Sequence, residues 1–171
     1  MNEFDFYKGL FERELTRRKD LDASISQTVT ILSIVGGLLY FLYTKSSVHD
    51  CSLVSNLMLL STLLAFLCII IGLICLIISF NNWFKGNTYK DFPKTKELYD
   101  YHKELEDYNS KVDKNIQKQF DEYLIKKFVS YTDDHIMVND KRSLYLHKTR
   151  ICIILTLLIE VVGFIFYVLK T

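Results

Sequence analysis

The sequence predicts an all-α integral membrane protein with three transmembrane helices and a cytosolic helical domain. Three observations predict it. No charged residue occurs between Cys51 and Phe84. Residues 23–43 carry no charge, and residues 151–169 carry one acid, Glu160. The polar remainder repeats its apolar residues at helical steps, with no alternation of the strand kind.

The N-terminal element, 1–22, is read as a cytosolic amphipathic helix. Tyr7, Leu10, Phe11, Leu15 and Leu21 fall on one side and charges elsewhere. No Gly or Pro lies between Leu10 and Gly36, so this helix is expected to run on into the first span, 23–44. That span is not expected to be a cleaved signal peptide, because an acidic amphipathic segment precedes it and no small-residue cleavage pattern follows.

The second span, 51–80, contains about two dozen almost wholly apolar positions. As a helix they reach about 36 Å, enough for a hydrocarbon core of roughly 30 Å. Asn81, Asn82, Gly86 and Asn87 mark a break, and Pro93 is expected at the start of the next helix, where its missing N–H costs nothing.

The cytosolic domain, 81–150, has a seam of Leu98, Tyr101, Leu105, Tyr108 and Val112 at heptad steps, continued by Ile116, Phe120, Tyr123, Leu124 and Phe128. One long helix over 95–131 is the simplest reading, although Asn109 and Ser110 could split it into a hairpin. Residues 132–134 are weak helix formers and are expected to end it. A short helix over 139–150 then feeds directly into the third span, 151–169.

Basic residues set the orientation. Arg13, Arg17, Arg18 and Lys19 precede the first span, and the short loop after it offers only Lys45. Lys85, Lys90, Lys94 and Lys96 follow the second span, Lys141, Arg142, Lys148 and Arg150 precede the third, and Lys170 stands alone in the tail. The positive-inside rule puts the N-terminus and residues 81–150 inside and the C-terminus outside.

The formal net charge of +1, with both signs in the same segment, excludes a strongly basic nucleic-acid clamp. Of four cysteines, Cys68, Cys75 and Cys152 fall in spans and Cys51 in the outer loop. None has a metal-ligand spacing, so they read as small packing residues and no metal or cofactor is expected. His49, His102 and His135 are isolated and expected to face solvent. Asp133, Asp134 and His135 lack the further acids a cation site would need. There is no phosphate-binding Gly-rich loop and no nucleophile elbow.

Two constellations could carry function. In the third span Cys152, Thr156, Glu160, Gly163 and Tyr167 share a face. The first span repeats this with Ser26, Thr30, Ser33, Gly37 and Tyr40, the second with Ser55, Thr62, Ala65, Gly72 and Ser79. Such faces pack helices in lipid. Glu160 is costlier, about 3 kcal/mol at mid-helix, and no Lys or Arg lies in any span to pair with it. Either it lines a water-filled pore between copies, with Thr156 and Gly163 pore-lining or intersubunit beside it, or it is protonated and hydrogen-bonded to a neighbouring helix.

The other constellation is Arg142-Ser143-Leu144-Tyr145-Leu146-His147. Arg-x4-His is the spacing of HEPN-type ribonucleases, in which His moves the ribose 2′-hydroxyl proton and Arg holds the phosphate. On an ideal helix these two side chains diverge by about 140°. A working site would need a second chain or a distorted helix. The structural alternative makes Arg142 a positive-inside anchor and His147 an interfacial residue.

With this motif in the cytosolic part of a small, Tyr-rich, all-helical membrane protein, the chain resembles the small transmembrane accessory proteins of type VI-B CRISPR loci, encoded beside the RNA-guided RNase effector. The resemblance implies an HEPN-like protomer that assembles into an inner-membrane pore and enhances antiviral interference by depolarising the membrane. It also implies that Arg142 and His147 are the functional pair, in RNA cleavage or in structure and gating.

The expected function is thus a homo-oligomeric pore of the bacterial inner membrane, acting in antiviral defence. The partners would be copies of itself, the lipid bilayer and a CRISPR RNA-guided RNase effector, with RNA a further candidate. The alternatives are a membrane-tethered, metal-independent HEPN-type ribonuclease, a membrane effector of another nucleotide-signalled defence system, and a non-conducting scaffold.

Overall fold

The computed structural model describes residues 2–45, 53–80 and 88–170. The expected positions of His49, Cys51, Lys85 and the 81–87 break lie outside the described residues. Among the described residues the chain is all-helical. The elements are α1 (Glu3–Lys45), α2 (Leu53–Ser79), α3 (Thr95–Lys111), a 3-10 turn (Lys114–Ile116) and α4 (Phe120–Lys170). Three of them, α1, α2 and α4, are long and apolar enough to cross a membrane.

The contacts divide the chain into two units, one of Met1–Lys19 with Thr88–Asp140, the other of Asp20–Asn87 with Lys141–Thr171. Residues 141–150, which the sequence groups with the cytosolic domain, therefore pack with the apolar helices.

In the apolar unit each helix turns a heptad-spaced face inward. On α1 the buried positions are Leu21, Ile25, Thr28, Leu32, Val35, Leu39 and Leu42. On α4 they are Arg142, Leu146, Thr149, Ile153, Thr156, Glu160 and Gly163. Ser55, Met58, Thr62, Ala65, Gly72, Leu76 and Ser79 do the same on α2. Steps of three and four keep one seam facing its neighbours along the whole length. The apolar core joins Leu21, Ile25, Leu32 and Val35 to Leu76, Leu146 and Ile153.

The outer surface of this unit is made of large aliphatic and aromatic side chains, among them Ile34, Leu38, Leu63, Phe66, Ile154, Leu158 and Phe164. Serine and threonine are among the residues turned in. Their hydroxyls donate to their own helix, as from Thr28 to Ser24 O (2.8 Å), Thr62 to Met58 O (2.9 Å) and Thr156 to Cys152 O (2.9 Å). This distribution reverses that of a water-soluble bundle and suits an apolar solvent.

In the polar unit the seam residues build a hairpin rather than one long helix. α3 ends at Lys111, and α4 begins at Phe120. Asn109 fixes the turn: its Nδ2 donates to Lys118 O (2.8 Å) and its Oδ1 accepts from Lys118 N (3.0 Å). Tyr101 then stacks on Tyr123 at 4.1 Å, and His102 meets Phe120 edge-on. Ile116, expected on the seam, is exposed in the 3-10 turn. Pro93 stands just outside α3, whose N-cap is Lys94.

Residues 132–134 do not end a helix, and 139–150 is not a separate one; both lie within α4. Propensity loses here to tertiary contacts. Asp134 accepts from the Lys90 amide (3.0 Å) and pairs with Lys90 Nζ (3.3 Å), so its side chain is engaged away from its own helix backbone.

Candidate functional site

Arg142 is fully buried in the apolar unit. Its Nε donates to Ser79 O (2.9 Å), its Nη2 donates to Asp22 Oδ1 (2.5 Å), and Ser79 Oγ donates to Arg142 O (3.0 Å). One guanidinium thus joins α4 to the last turn of α2 and to α1. His147 lies five residues on and is exposed. Within one chain the Arg-x4-His residues are therefore not brought together, as expected of an undistorted helix. Arg142 spends its Nε and Nη2 donors on holding the helices together.

Thr156, Glu160 and Gly163 lie together on the inward face of α4. At Gly163 α4 packs tightly on its neighbours: a Cβ there would sit 3.0 Å from Ser61 Oγ of α2 and 3.5 Å from Leu42 Cδ1 of α1. Gly72 plays the same part on α2, where a Cβ would meet Cys152 Cβ at 3.1 Å. Thr149 Oγ1 lies 3.3 Å from Gly72 O, a contact that only this close approach permits.

Glu160 is 6% exposed, and both its carboxyl oxygens are covered with no hydrogen-bond partner among the described residues. The shelter that sequence reasoning sought from other copies is supplied by the protomer itself. The partner is not. Beside Glu160 lies a cavity of about 300 Å³ lined by apolar residues of α1 and α4. A second cavity, about 450 Å³, lies between α1 and α2 and is lined by Gly36, Tyr40, Tyr43, Thr62 and Phe66 among others.

The small and polar stripes of the three apolar helices do not all point the same way. Those of α2 and α4 face inward. On α1 Ser26, Thr30, Ser33, Gly37 and Tyr40 are all exposed, Tyr40 by 69%. Their hydroxyls are held at home, Thr30 on Ser26 O (3.3 Å) and Ser33 on Val29 O (3.0 Å). A Cβ added at Gly36 or Gly37 would meet nothing within 4 Å.

Sequence reasoning missed a buried polar network in the other unit. His135, expected at the surface, is 2% exposed. Its Nε2 contacts Lys90 O (3.2 Å), and its ring lies 4.7 Å from that of Tyr89. Tyr89 donates its hydroxyl to Asn139 Oδ1 (2.6 Å), and Asn139 Nδ2 donates to Glu14 Oε2 (3.1 Å). Arg17 lies against the same Glu14 carboxylate at 3.5 Å and donates to Asp140 at 2.6 Å. The Asp140 hydrogen bond, with help from Glu14, raises the Arg17 pKa above its ordinary value. A ring cluster of Phe11, Phe92 and Phe128 closes one side. The available signal was the 3/4 spacing of Phe128, Thr132, His135 and Asn139, which runs on in register to Glu160.

Among the described residues no group of His, Cys, Asp and Glu could hold a metal ion. No family model matches the chain, and no curated protein or solved structure is significantly similar to it.

Proposed function

We propose that α1, α2 and α4 cross a bacterial inner membrane and that copies of the chain assemble, through the outward polar face of α1, into a homo-oligomeric pore. The observation that carries this reading is that face. Ser26, Thr30, Ser33 and Gly37 are turned away from their own protomer, where lipid would otherwise cover them. Small residues let a second helix approach closely, and hydroxyls bonded to their own backbone keep a free lone pair for water or an ion. A second copy or a water-filled lumen is a better neighbour for them than acyl chains.

The biological setting follows from the resemblance to type VI-B CRISPR accessory proteins. The pore would depolarise the membrane and strengthen antiviral interference beside an RNA-guided RNase effector, with residues 88–140 on the cytosolic side. No catalytic step is needed. The buried Arg142, engaged with Asp22 and Ser79, speaks against the ribonuclease alternative.

The reading is tested with a membrane-potential dye in cells that express the protein with its activating effector and target RNA. Wild type should depolarise the membrane, and Thr30→Leu combined with Ser33→Leu should not. An unchanged dye signal while interference persists would overturn it.

A further inference from the structure

We infer that the cytosolic end of the α2–α4 seam binds an anionic phospholipid, whose headgroup phosphate meets Lys141 and Lys148 beside Tyr145. The inference rests on the reading that α2 and α4 cross a bilayer with 141–150 at its cytosolic face. It does not depend on conduction or on assembly.

Two contacts set the depth of α4 against α2. Ser79 Oγ donates to Arg142 O (3.0 Å), and Thr149 Oγ1 lies 3.3 Å from Gly72 O. Residues 143–148 therefore run alongside 73–78, part of an uncharged stretch of α2, over a length of about 10 Å. The uncharged or single-acid run of α4 that follows, 151–169, spans about 28 Å as a helix, close to one hydrocarbon core. Its cytosolic boundary falls within a turn of Lys148, at the depth of the lipid phosphates.

Arg142, Tyr145, Thr149 and Cys152 follow one another at steps of three and four. Three of them meet α2: Arg142 at Ser79, Thr149 and Cys152 at Gly72. Tyr145 shares their side of the helix and is half-buried. Lys148 extends over its ring, 5.0 Å from the centroid. Lys141 and Lys148 are both exposed, and a separation of seven residues keeps them on one side of α4. Leu155, a further seven residues on, continues that side as apolar surface.

Neither lysine has an ion-pair partner among the described residues. No acid occurs in 23–49, 53–80 or 141–159, and Asp22 is taken by Arg142. Long lysine stems lie along apolar surface while their ammonium groups reach the phosphate layer. Each such lysine near an anionic bilayer surface favours a negative headgroup.

Other partners fit less well. A free phosphate would meet the lysines but leave the apolar wall beyond them bare. A zwitterionic phospholipid brings its own cation up to two ammonium groups. An anionic phospholipid suits both parts, with its chains against Leu155 of α4 and the exposed Ile71 of α2.

The test is displacement of phosphatidylglycerol with a fluorescent acyl chain from purified protein in neutral detergent, read by anisotropy. Unlabelled phosphatidylglycerol should compete about tenfold or more better than phosphatidylcholine, and inorganic phosphate should leave the probe bound. Lys141→Gln combined with Lys148→Gln should weaken binding by about tenfold or more. Arg150→Gln removes a like charge about 200° around the helix from Lys148 and should change binding less than about twofold. Variants are compared with wild type for helicity and elution volume, and the lipid comparison uses wild type alone. Equal competition by the two lipids, full displacement by inorganic phosphate, or an equal loss in Arg150→Gln would each overturn the assignment. The spanning reading fails separately, if alkaline carbonate strips the protein from membranes. Because no current or assembly is measured, the pore reading stands or falls on its own.

Discussion

The Arg142 guanidinium donates to the Asp22 carboxylate at 2.5 Å, and this pair ties α4 to α1 within the apolar unit. Arg142 is wholly buried while the Asp22 side chain is half exposed, so the pair gains strength on one side and is screened on the other. Removing the arginine also strips Ser79 O of its donor.

Arg142→Ala should therefore destabilise the protein by about 3 kcal/mol, the low end for breaking a buried pair, because solvent still reaches Asp22. His147→Ala, at an exposed position, should shift stability by less than about 0.5 kcal/mol. Thermal unfolding in detergent, followed by far-ultraviolet circular dichroism, separates the two. Equal shifts would mean that Arg142 does not hold the helices together.

Two glycines should respond in opposite ways. Gly163→Val places methyl groups against Ser61 and Leu42 and should cost about 1–3 kcal/mol of protomer stability. A Cβ added at Gly37 meets nothing within 4 Å among the described residues, so Gly37→Leu should leave that stability within about 0.5 kcal/mol. If copies pack on this face of α1, Gly37→Leu should instead lower the mass measured by light scattering in detergent. An unchanged mass would remove α1 from the assembly interface.

The strap before α3 is held by Tyr89 and Lys90. Tyr89→Phe deletes the hydroxyl that satisfies Asn139 and should cost about 1–1.4 kcal/mol locally. Hydrogen exchange at the neighbouring Lys90 amide, bonded to Asp134, should then speed up roughly fivefold to tenfold. Unaltered protection there would show that the strap is fixed by its ring contacts alone.

Much of this architecture is legible in the sequence, for a physical reason. A helix surrounded by lipid must satisfy its backbone internally, so uncharged runs such as 53–80 and 151–169 declare themselves without any knowledge of their neighbours. The hairpin at Asn109 does not. It depends on one amide side chain reaching across nine residues to Lys118, which no local propensity records. Residues 132–134 mislead in the other direction, because Asp134 looks like a terminator but is engaged by the Lys90 amide, and Thr132 is buried within the helix rather than capping one. The direction of each polar stripe is also invisible. Ser26 to Tyr40 and Thr156 to Gly163 have the same spacing, yet α1 turns its stripe out and α4 turns its stripe in. That choice belongs to Leu21, Ile25, Leu32 and Val35, whose side chains claim the α1 core face. The inward register of Arg142 follows from Ser79, a residue 63 positions away.

The most direct measurement of the central claim is potassium release from sealed lipid vesicles into which the purified protein has been reconstituted and to which the activating effector and its target RNA are added. Wild type should empty the vesicles, and protein carrying both Thr30→Leu and Ser33→Leu should leave them nearly full although equally inserted. Vesicles that stay tight with fully inserted wild-type protein, or that leak equally with the altered α1 face, would contradict the account.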